Sequence, residues 1–164
     1  MQTSAPTPST PCPDCETLRL VALDREDLEV VSCHMQDAIV RVGDMAFIPA
    51  SHRFAFVAAR FDWCESAKSG KVERARTGVH FDCVRRVQRT GFDPAAHETV
   101  LNVLSIAFEE TDAPAGAVTI TFSGGAALRL EVECLDAQMR DMGERWEARA
   151  TPAHDLDDEA PAGR

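Results

Sequence analysis

The spacing of apolar positions near the start of the chain predicts a strand followed by a helix. The stretch "LRLVAL" at 18–23 is a short apolar run typical of a strand. After it, Leu28, Val31 and Met35 recur at helical spacing and would share one face of an amphipathic helix. Asp24 stands just before this helix and is a residue type that caps helix N-termini well.

Beyond residue 38 the apolar period becomes two, which indicates consecutive strands. Two apolar stretches flank Gly43 and Asp44, a dipeptide that looks like a hairpin turn. The segment 53–63 is at first apolar on both faces, as in a strand covered on both sides. Residues 64–76 are polar and predict a loop. This part of the chain therefore predicts three strands before the loop.

Two later segments continue the strand pattern. Residues 79–88 alternate cleanly, with Phe81 and Val87 facing one way and His80 and Gln88 the other. The segment "LNVLSIAF" at 101–108 is rich in β-branched residues, which favours a strand over a helix.

The clearest hairpin signal lies in "TITFSGGAALRL". A three-residue loop at 124–126 would pair Phe122 with Leu128 and Ile120 with Leu130, so that apolar side chains share one face. A slip of one residue would place charged side chains on that face. The pattern therefore favours the three-residue loop.

The last patterned stretch predicts a helix. Leu135, Met139 and Met142 would share one helical face, and Gly143 is a residue type that suits a C-terminal cap.

These elements predict an α+β fold with a mainly antiparallel sheet of about seven to eight strands. Such a sheet twists strongly and is expected to curl into a roll or partial barrel, with one N-terminal and one C-terminal helix covering an open side. This order of strands and a terminal helix is similar to that of pleckstrin-homology-like barrels. We predict a single globular domain at 17–147. The Pro-, Ser- and Thr-rich residues 1–16 and the acidic residues 148–164 are expected to be disordered tails.

The charge and length of the chain exclude several kinds of partner. The chain has 164 residues and a formal net charge of −10, which would repel nucleic acid. No apolar run approaches the roughly 20 residues that cross a bilayer, and no secretory signal pattern opens the chain. We therefore expect a cytoplasmic location without membrane contact. Six cysteines are few for a disulfide framework, and the cytoplasm would keep them reduced.

Motifs for catalysis and for metal binding are weak or missing. The sequence contains no Gly-x-Ser-x-Gly, no His-Glu-x-x-His and no nucleotide-binding glycine loop. The pair Cys12-x-x-Cys15 is half of a zinc pattern, but a strong zinc signal needs two such pairs. We therefore predict no catalytic residue, no metal and no cofactor.

One segment is unusually basic for so acidic a chain. Residues 68–89 contain seven basic residues against only Glu73 and Asp82. The basic residues are Lys68, Lys71, Arg74, Arg76, Arg85, Arg86 and Arg89. This local positive charge would attract an acidic protein or an anionic small molecule. The alternative is a solvated loop and strand face that forms salt bridges with nearby acids.

Several segments together resemble a bacterial domain-of-unknown-function family, number 2948. The resemblance covers about residues 17–150. It is carried by "LRLVALDREDLEVVSCHMQDAIVRVGDMAF", "RFAFVAARFDW", "VHFDCVRRVQRTGFD" and "APAGAVTITFSGGAALRLEVECLDAQMRDMG". The family has no assigned activity, so the resemblance implies a compact cytoplasmic domain and no particular catalytic residues.

The sequence thus favours a small non-enzymatic binding module whose basic segment 68–89 docks an acidic protein or an anionic metabolite. An alternative is an enzyme of uncharacterised class, with a pocket at an open end of the roll lined by residues such as His80, Asp82 and Arg86. A further alternative is a zinc-binding protein. The oligomeric state is left open.

Overall fold

The strands of the chain form one nine-stranded, antiparallel sheet with a single helix among the residues that the structure describes. This computed structural model describes residues 18–62 and 73–147. The elements are β1 (Arg19–Ala22), α1 (Arg25–Met35), β2 (Ile39–Ile48), β3 (Arg53–Phe61), β4 (Glu73–Phe81), β5 (Val84–Thr90), β6 (Val100–Asp112), β7 (Ala115–Phe122), β8 (Ala127–Val132) and β9 (Ala137–Glu147). The sheet is not closed, and its strand order is β1-β9-β4-β3-β2-β6-β7-β8-β5. The fold is therefore mainly β rather than α+β. The predicted tails lie outside the described residues.

The helix α1 begins as the sequence predicts. The side chain of Asp24 accepts a hydrogen bond from the Asp27 amide at 2.8 Å, and the Asp27 side chain accepts one from the Leu23 amide at 3.1 Å. These reciprocal bonds satisfy amides that have no partner inside the helix. The predicted face is confirmed, since the buried residues of α1 are Leu28, Val31 and Met35.

The cap gives a first testable prediction. We expect Asp24→Ala to lower the free energy of unfolding by about 1 kcal/mol, because the Asp27 amide loses its acceptor. Urea denaturation followed by circular dichroism measures this change. Glu29→Ala, at an exposed position within α1, is the control and should change stability much less. Equal losses in the two variants would contradict the role of the cap.

The predicted C-terminal helix is wrong, because the segment is strand β9. Ala137, Met139 and Asp141 are buried at a period of two, which is the periodicity of a strand. β9 pairs with β1 on one side and with β4 on the other. The likeness to pleckstrin-homology-like barrels rested partly on a terminal helix, and residues 137–147 do not form one.

The hairpin of β7 and β8 is confirmed, but its predicted register is wrong by two residues. Ile120 lies opposite Leu128 rather than Leu130. The turn lies one residue earlier than predicted, at Ser123–Gly125, and the Phe122 amide donates to the Ala126 carbonyl across it. Gly124 has φ 81° and Gly125 has φ 89°. Glycine occupies this left-handed region without steric cost. A shift of two residues keeps every side chain on its predicted face, so the apolar pattern could not distinguish the two registers.

The predicted hairpin turn at Gly43 and Asp44 is also wrong, because β2 runs through it. The pairing of β2 with β3 shifts register between Val40 and Met45, and the Gly43 amide donates to the His97 carbonyl at 2.9 Å. A glycine at this position therefore allows the loop at His97 to approach the strand closely, rather than forming a turn.

The predicted strand at 79–88 is two strands that meet at a sharp corner. β4 ends at Phe81 and β5 begins at Val84, with Cys83 at a positive φ of 63° between them. β4 pairs with β3 and β9, whereas β5 pairs with β8. The loop predicted at 64–76 ends earlier than predicted, since β4 begins at Glu73.

The link between β8 and β9 lies directly beside this corner. The Asp82 amide donates to the Asp136 carbonyl, and the Glu133 amide donates to the Cys83 carbonyl, both at 2.9 Å. We call the segments 82–83 and 133–136 the paired corners. The chain therefore bends at the same place in two neighbouring connections, between β4 and β5 and between β8 and β9.

The hydrophobic core unites side chains from both ends of the strand order. Phe54 and Phe81, from β3 and β4, belong to the same buried cluster as Ile120 and Leu130, from β7 and β8. The helix contributes Met35 to this cluster. The strands predicted at the positions of β1, β3 and β6 are confirmed.

Candidate functional site

The described members of the predicted basic patch are divided between two strands. The seven predicted residues are Lys68 and Lys71, which lie outside the described residues, Arg74 and Arg76 on β4, and Arg85, Arg86 and Arg89 on β5. β4 and β5 are not neighbours in the sheet and are joined only through a corner. A site built from these residues must therefore be sought separately on each strand.

Arg74 makes contacts within the protein that stabilise the fold. Its Nη1 donates to the carbonyls of Ala59 at 3.0 Å and Asp37 at 3.3 Å, and its guanidinium lies 5.9 Å from the centre of the Phe61 ring. Burial is the main reason that its pKa is lowered, while the Asp37 charge acts in the opposite direction. Arg74 is therefore already engaged by the protein.

The three arginines of β5 are exposed at one end of the sheet. β5 is last in the strand order, so one of its edges has no neighbouring strand in the described part of the chain. Val84 is buried and anchors the strand, whereas Arg85, Arg86 and Arg89 are exposed. Arg86 lies 3.8 Å from Glu131 on β8. Among the described residues, Arg85 and Arg89 have no ion-pair partner.

A cavity of about 320 Å³ lies beside this edge. Its lining residues are Gln88, Arg89, Thr90, Thr119, Ala127, Leu128 and Arg129. Arg129 lies opposite Gln88 on β5 and opposite Thr119 on β7, so it lies on the same face of the sheet as Arg86. The sequence analysis missed Arg129, because nothing in the local pattern shows that β8 pairs with β5.

A second groove, of about 390 Å³, crosses the outer face of β2, β3, β4 and β9. Its residues are Asp44, Ala46, Ala55, Phe56, Val57, Gly78, Val79, His80, Gln138, Arg140 and Met142. Its floor is made largely of small apolar side chains, and its charged groups are few. No serine, threonine or cysteine lies among these residues, so they provide no hydroxyl or thiol nucleophile.

The residues named for the enzyme alternative are only partly brought together. His80 Nε2 is buried, makes no hydrogen bond among the described residues and lies 3.6 Å from Asp82 Oδ2. Asp82 is already bound by Arg53, at 2.7 and 3.4 Å. This hydrogen bond is the main reason that the pKa of Arg53 is raised. Arg86 does not join them, since it lies next to Glu131 on the other side of the corner.

A buried polar cluster lies inside the other end of the sheet. Arg60 on β3 donates two hydrogen bonds to Asp141 on β9, at 2.9 and 2.8 Å, and Thr77 on β4 donates a third at 2.7 Å. Asp62 lies 4.0 Å from Arg60. Each of these four side chains is almost fully buried. These bonds link β3, β4 and β9, and we interpret the cluster as a structural element of the sheet.

The charges in this cluster affect its own ionisation and that of the nearby helix. Burial alone would raise the pKa of Asp141, but the hydrogen bonds and charge of Arg60, with help from Thr77, lower it overall. The pKa of His34 on α1 is lowered, first by burial and then by the Arg60 charge. Asp141 is therefore held as a carboxylate, and His34 favours its neutral form.

The zinc alternative finds no support in the described part of the chain. Cys12 and Cys15 lie outside it. Within it, no three His, Cys, Asp or Glu side chains are grouped so that they could hold a metal ion. In the same residues no helix has the length and apolarity needed to span a membrane.

Most of the chain matches a known protein family. The model of a family described as "Protein of unknown function (DUF2948)" matches residues 18–154. No curated protein matches the chain, and no solved structure does.

Proposed function

The chain belongs to the DUF2948 family of proteins of unknown function, which supplies no activity to carry over, so we propose a function from its own geometry. We propose that it is a non-enzymatic cytoplasmic module that binds an acidic peptide segment of another protein along the free edge of β5. The peptide would add to the sheet as a further strand. The observation that carries this proposal is the outer edge of β5, which has exposed arginines and no neighbouring strand among the described residues.

The backbone of an edge strand provides the first part of the binding energy. Along such an edge, alternate amide and carbonyl groups have no partner strand and can pair with an extended peptide. β5 has seven residues, and the Val84 amide already donates to the His52 carbonyl at 2.8 Å, which leaves residues 85–90 for a peptide of similar length. Its other edge is held in register by β8, so the strand is already ordered before a peptide arrives.

Charge provides the selectivity. Arg85 and Arg89 have no ion-pair partner among the described residues, and Arg129 borders the cavity beside them. Acidic side chains of a bound strand would lie near these guanidinium groups. The same arginines disfavour edge-to-edge pairing of two copies of this chain, because like charges would then face each other.

We also propose that the sheet curls into a roll. β4 is third and β5 is last in the strand order, so a flat sheet would separate them by about 29 Å at about 4.8 Å per strand. Only Asp82 and Cys83 link them, and the three virtual bonds from Phe81 to Val84 span at most about 11 Å. The strong bend that this link requires supports the roll, which leaves the edge of β5 as one of its two open edges.

The binding proposal can be tested with a designed probe. The probe is a fluorescein-labelled peptide of about eight alternating glutamate and valine residues, matched in length to β5. Fluorescence anisotropy at low salt would measure its affinity. We expect the double variant Arg85→Glu/Arg89→Glu to bind it roughly tenfold more weakly, because two attractive charges become repulsive.

Two controls separate charge from strand pairing. Arg19→Glu/Arg25→Glu changes the net charge equally at exposed positions of β1 and α1, and should bind as the wild type does. A probe with proline at its central positions keeps most of its charge but loses backbone donors, and should bind weakly. Equal losses in both double variants, or strong binding of the proline probe, would contradict the proposal.

A further inference from the structure

Two cysteines face each other across the paired corners. Cys83 lies between β4 and β5, and Cys134 lies between β8 and β9. Their Sγ atoms are 3.6 Å apart, and both side chains are partly exposed as free thiols. The backbone bond from Glu133 to Cys83 holds the two segments side by side. The backbone of the fold therefore holds the two thiols close together.

A small movement would convert this contact into a covalent bond. A disulfide has a sulfur–sulfur distance of about 2.05 Å, so the two Sγ atoms need to approach by about 1.5 Å. Rotation of two side chains at an exposed corner can supply this movement, while the core strands on either side stay in place. We propose that Cys83 and Cys134 are a modification site, which forms a reversible intramolecular disulfide by exchange with a low-molecular-weight disulfide such as oxidised glutathione.

The surroundings of the two thiols set the order of the reaction. Cys134 lines a cavity of about 450 Å³ beside Leu135 and Pro114, so a small disulfide can reach it. Burial, then the hydrogen bond and charge of Cys134, raise the pKa of Cys83 to about 11, with the charges of Asp136 and Asp82 adding to this. Cys83 is not among the residues that line this cavity, so Cys134 meets the small disulfide first and attacks it as the thiolate.

The exchange proceeds in two balanced steps. The Cys134 thiolate attacks one sulfur of oxidised glutathione, forms a mixed disulfide and releases one glutathione thiolate. The Cys83 thiol then loses its proton and attacks the Cys134 sulfur, which forms the intramolecular disulfide and releases the second glutathione. The protein dithiol is oxidised, one glutathione disulfide is reduced to two thiols, and no other reactant is needed.

Peptide mapping tests the proposal directly. The folded wild-type protein is incubated with oxidised glutathione, blocked with an alkylating reagent and digested with trypsin. We expect the peptides 77–85 and 130–140 to appear linked, with a mass about 2 Da below their sum. Cys33, which is exposed on α1, is the internal control and should carry only glutathione. Linked peptides that join other cysteines instead, or none, would overturn the proposal.

Two further measurements test the order and the structural effect. Cys83→Ser should accumulate glutathione on Cys134, whereas Cys134→Ser should leave Cys83 largely unmodified over the same time. In a protein with Cys12, Cys15, Cys33 and Cys64 replaced by serine, oxidation should raise the Tm by roughly 10 °C, because the link closes a long loop. An unchanged or lowered Tm after complete linkage would show that the corner is strained by the bond. The proposal of a native-like disulfide would then be rejected.

Discussion

Asp141→Asn is expected to lower the free energy of unfolding by about 3–5 kcal/mol, the typical cost of removing one partner from a buried ion pair. Arg60 would keep its charge inside the protein and lose the carboxylate that accepts two of its hydrogen bonds. Thr77 would lose a charged acceptor at 2.7 Å. Asp62 is 4.0 Å from Arg60 and compensates only in part. Urea denaturation at neutral pH measures the loss.

A combined replacement separates the cost of an unpaired charge from the value of the cluster. Because Asp62 also lies 4.0 Å from Arg60, the variant Arg60→Met/Asp62→Asn/Asp141→Leu removes all three charges, and its loss should be clearly smaller than that of Asp141→Asn. If the triple variant were less stable than the single one, packing rather than the unpaired charge would explain the effect.

The same carboxylate makes stability depend on pH. The pKa of Asp141 is lower in the folded protein than its ordinary value near 3.9, so the unfolded chain binds a proton more readily. The stabilisation is therefore complete above pH of about 4 and is lost as the pH falls through the folded value. The difference between wild type and Asp141→Asn should narrow on acidification. A constant difference down to pH of about 2 would contradict this.

Gly116→Ala is expected to lower the free energy of unfolding by about 1–3 kcal/mol, in the upper part of that range, because the new methyl group has no space. Its Cβ would lie 2.5 Å from the Glu109 carbonyl oxygen and 2.6 Å from Phe108 Cε1. The carbonyl belongs to the neighbouring strand β6, so the strand pair itself would have to separate. Thermal and urea unfolding both report the change.

Gly78→Ala is the matched control for this prediction. Gly78 also lies inside a strand, but its Cβ would meet only Met142 Sδ, at an ordinary contact distance of 3.5 Å. We expect its stability to stay within about 0.5 kcal/mol of the wild type, or to rise slightly. Similar losses in the two variants would indicate a general intolerance of strand glycines rather than the close approach of β6 to β7.

The apolar pattern predicted most elements and failed where a polar residue is buried. In β9 the inward positions are Ala137, Met139 and Asp141, and the carboxylate interrupts an alternation that would otherwise be visible. Leu135, Met139 and Met142 then fit a helix instead. The reason that Asp141 can be buried is Arg60, and no local pattern links positions 81 residues apart.

The candidate site was predictable in its chemistry but not in its extent. The excess of arginine near residues 85–89 is visible in the sequence, and the structure places these residues on an exposed edge. The sequence could not show that Cys83 turns the chain out of β4, which separates Arg76 from Arg86. Nor could it show Arg129 beside Gln88, because strand pairing is set by the packing of the whole sheet.

The strand order also constrains when the fold can be completed during synthesis. β1 is the first of the described strands to be made, yet its only neighbour among them is β9, the last of them to be made. Arg60 likewise cannot form its buried ion pair with Asp141 until β9 has been synthesised. The growing chain can build its central hairpins early, but β1 stays unpaired in the sheet until β9 has left the ribosome.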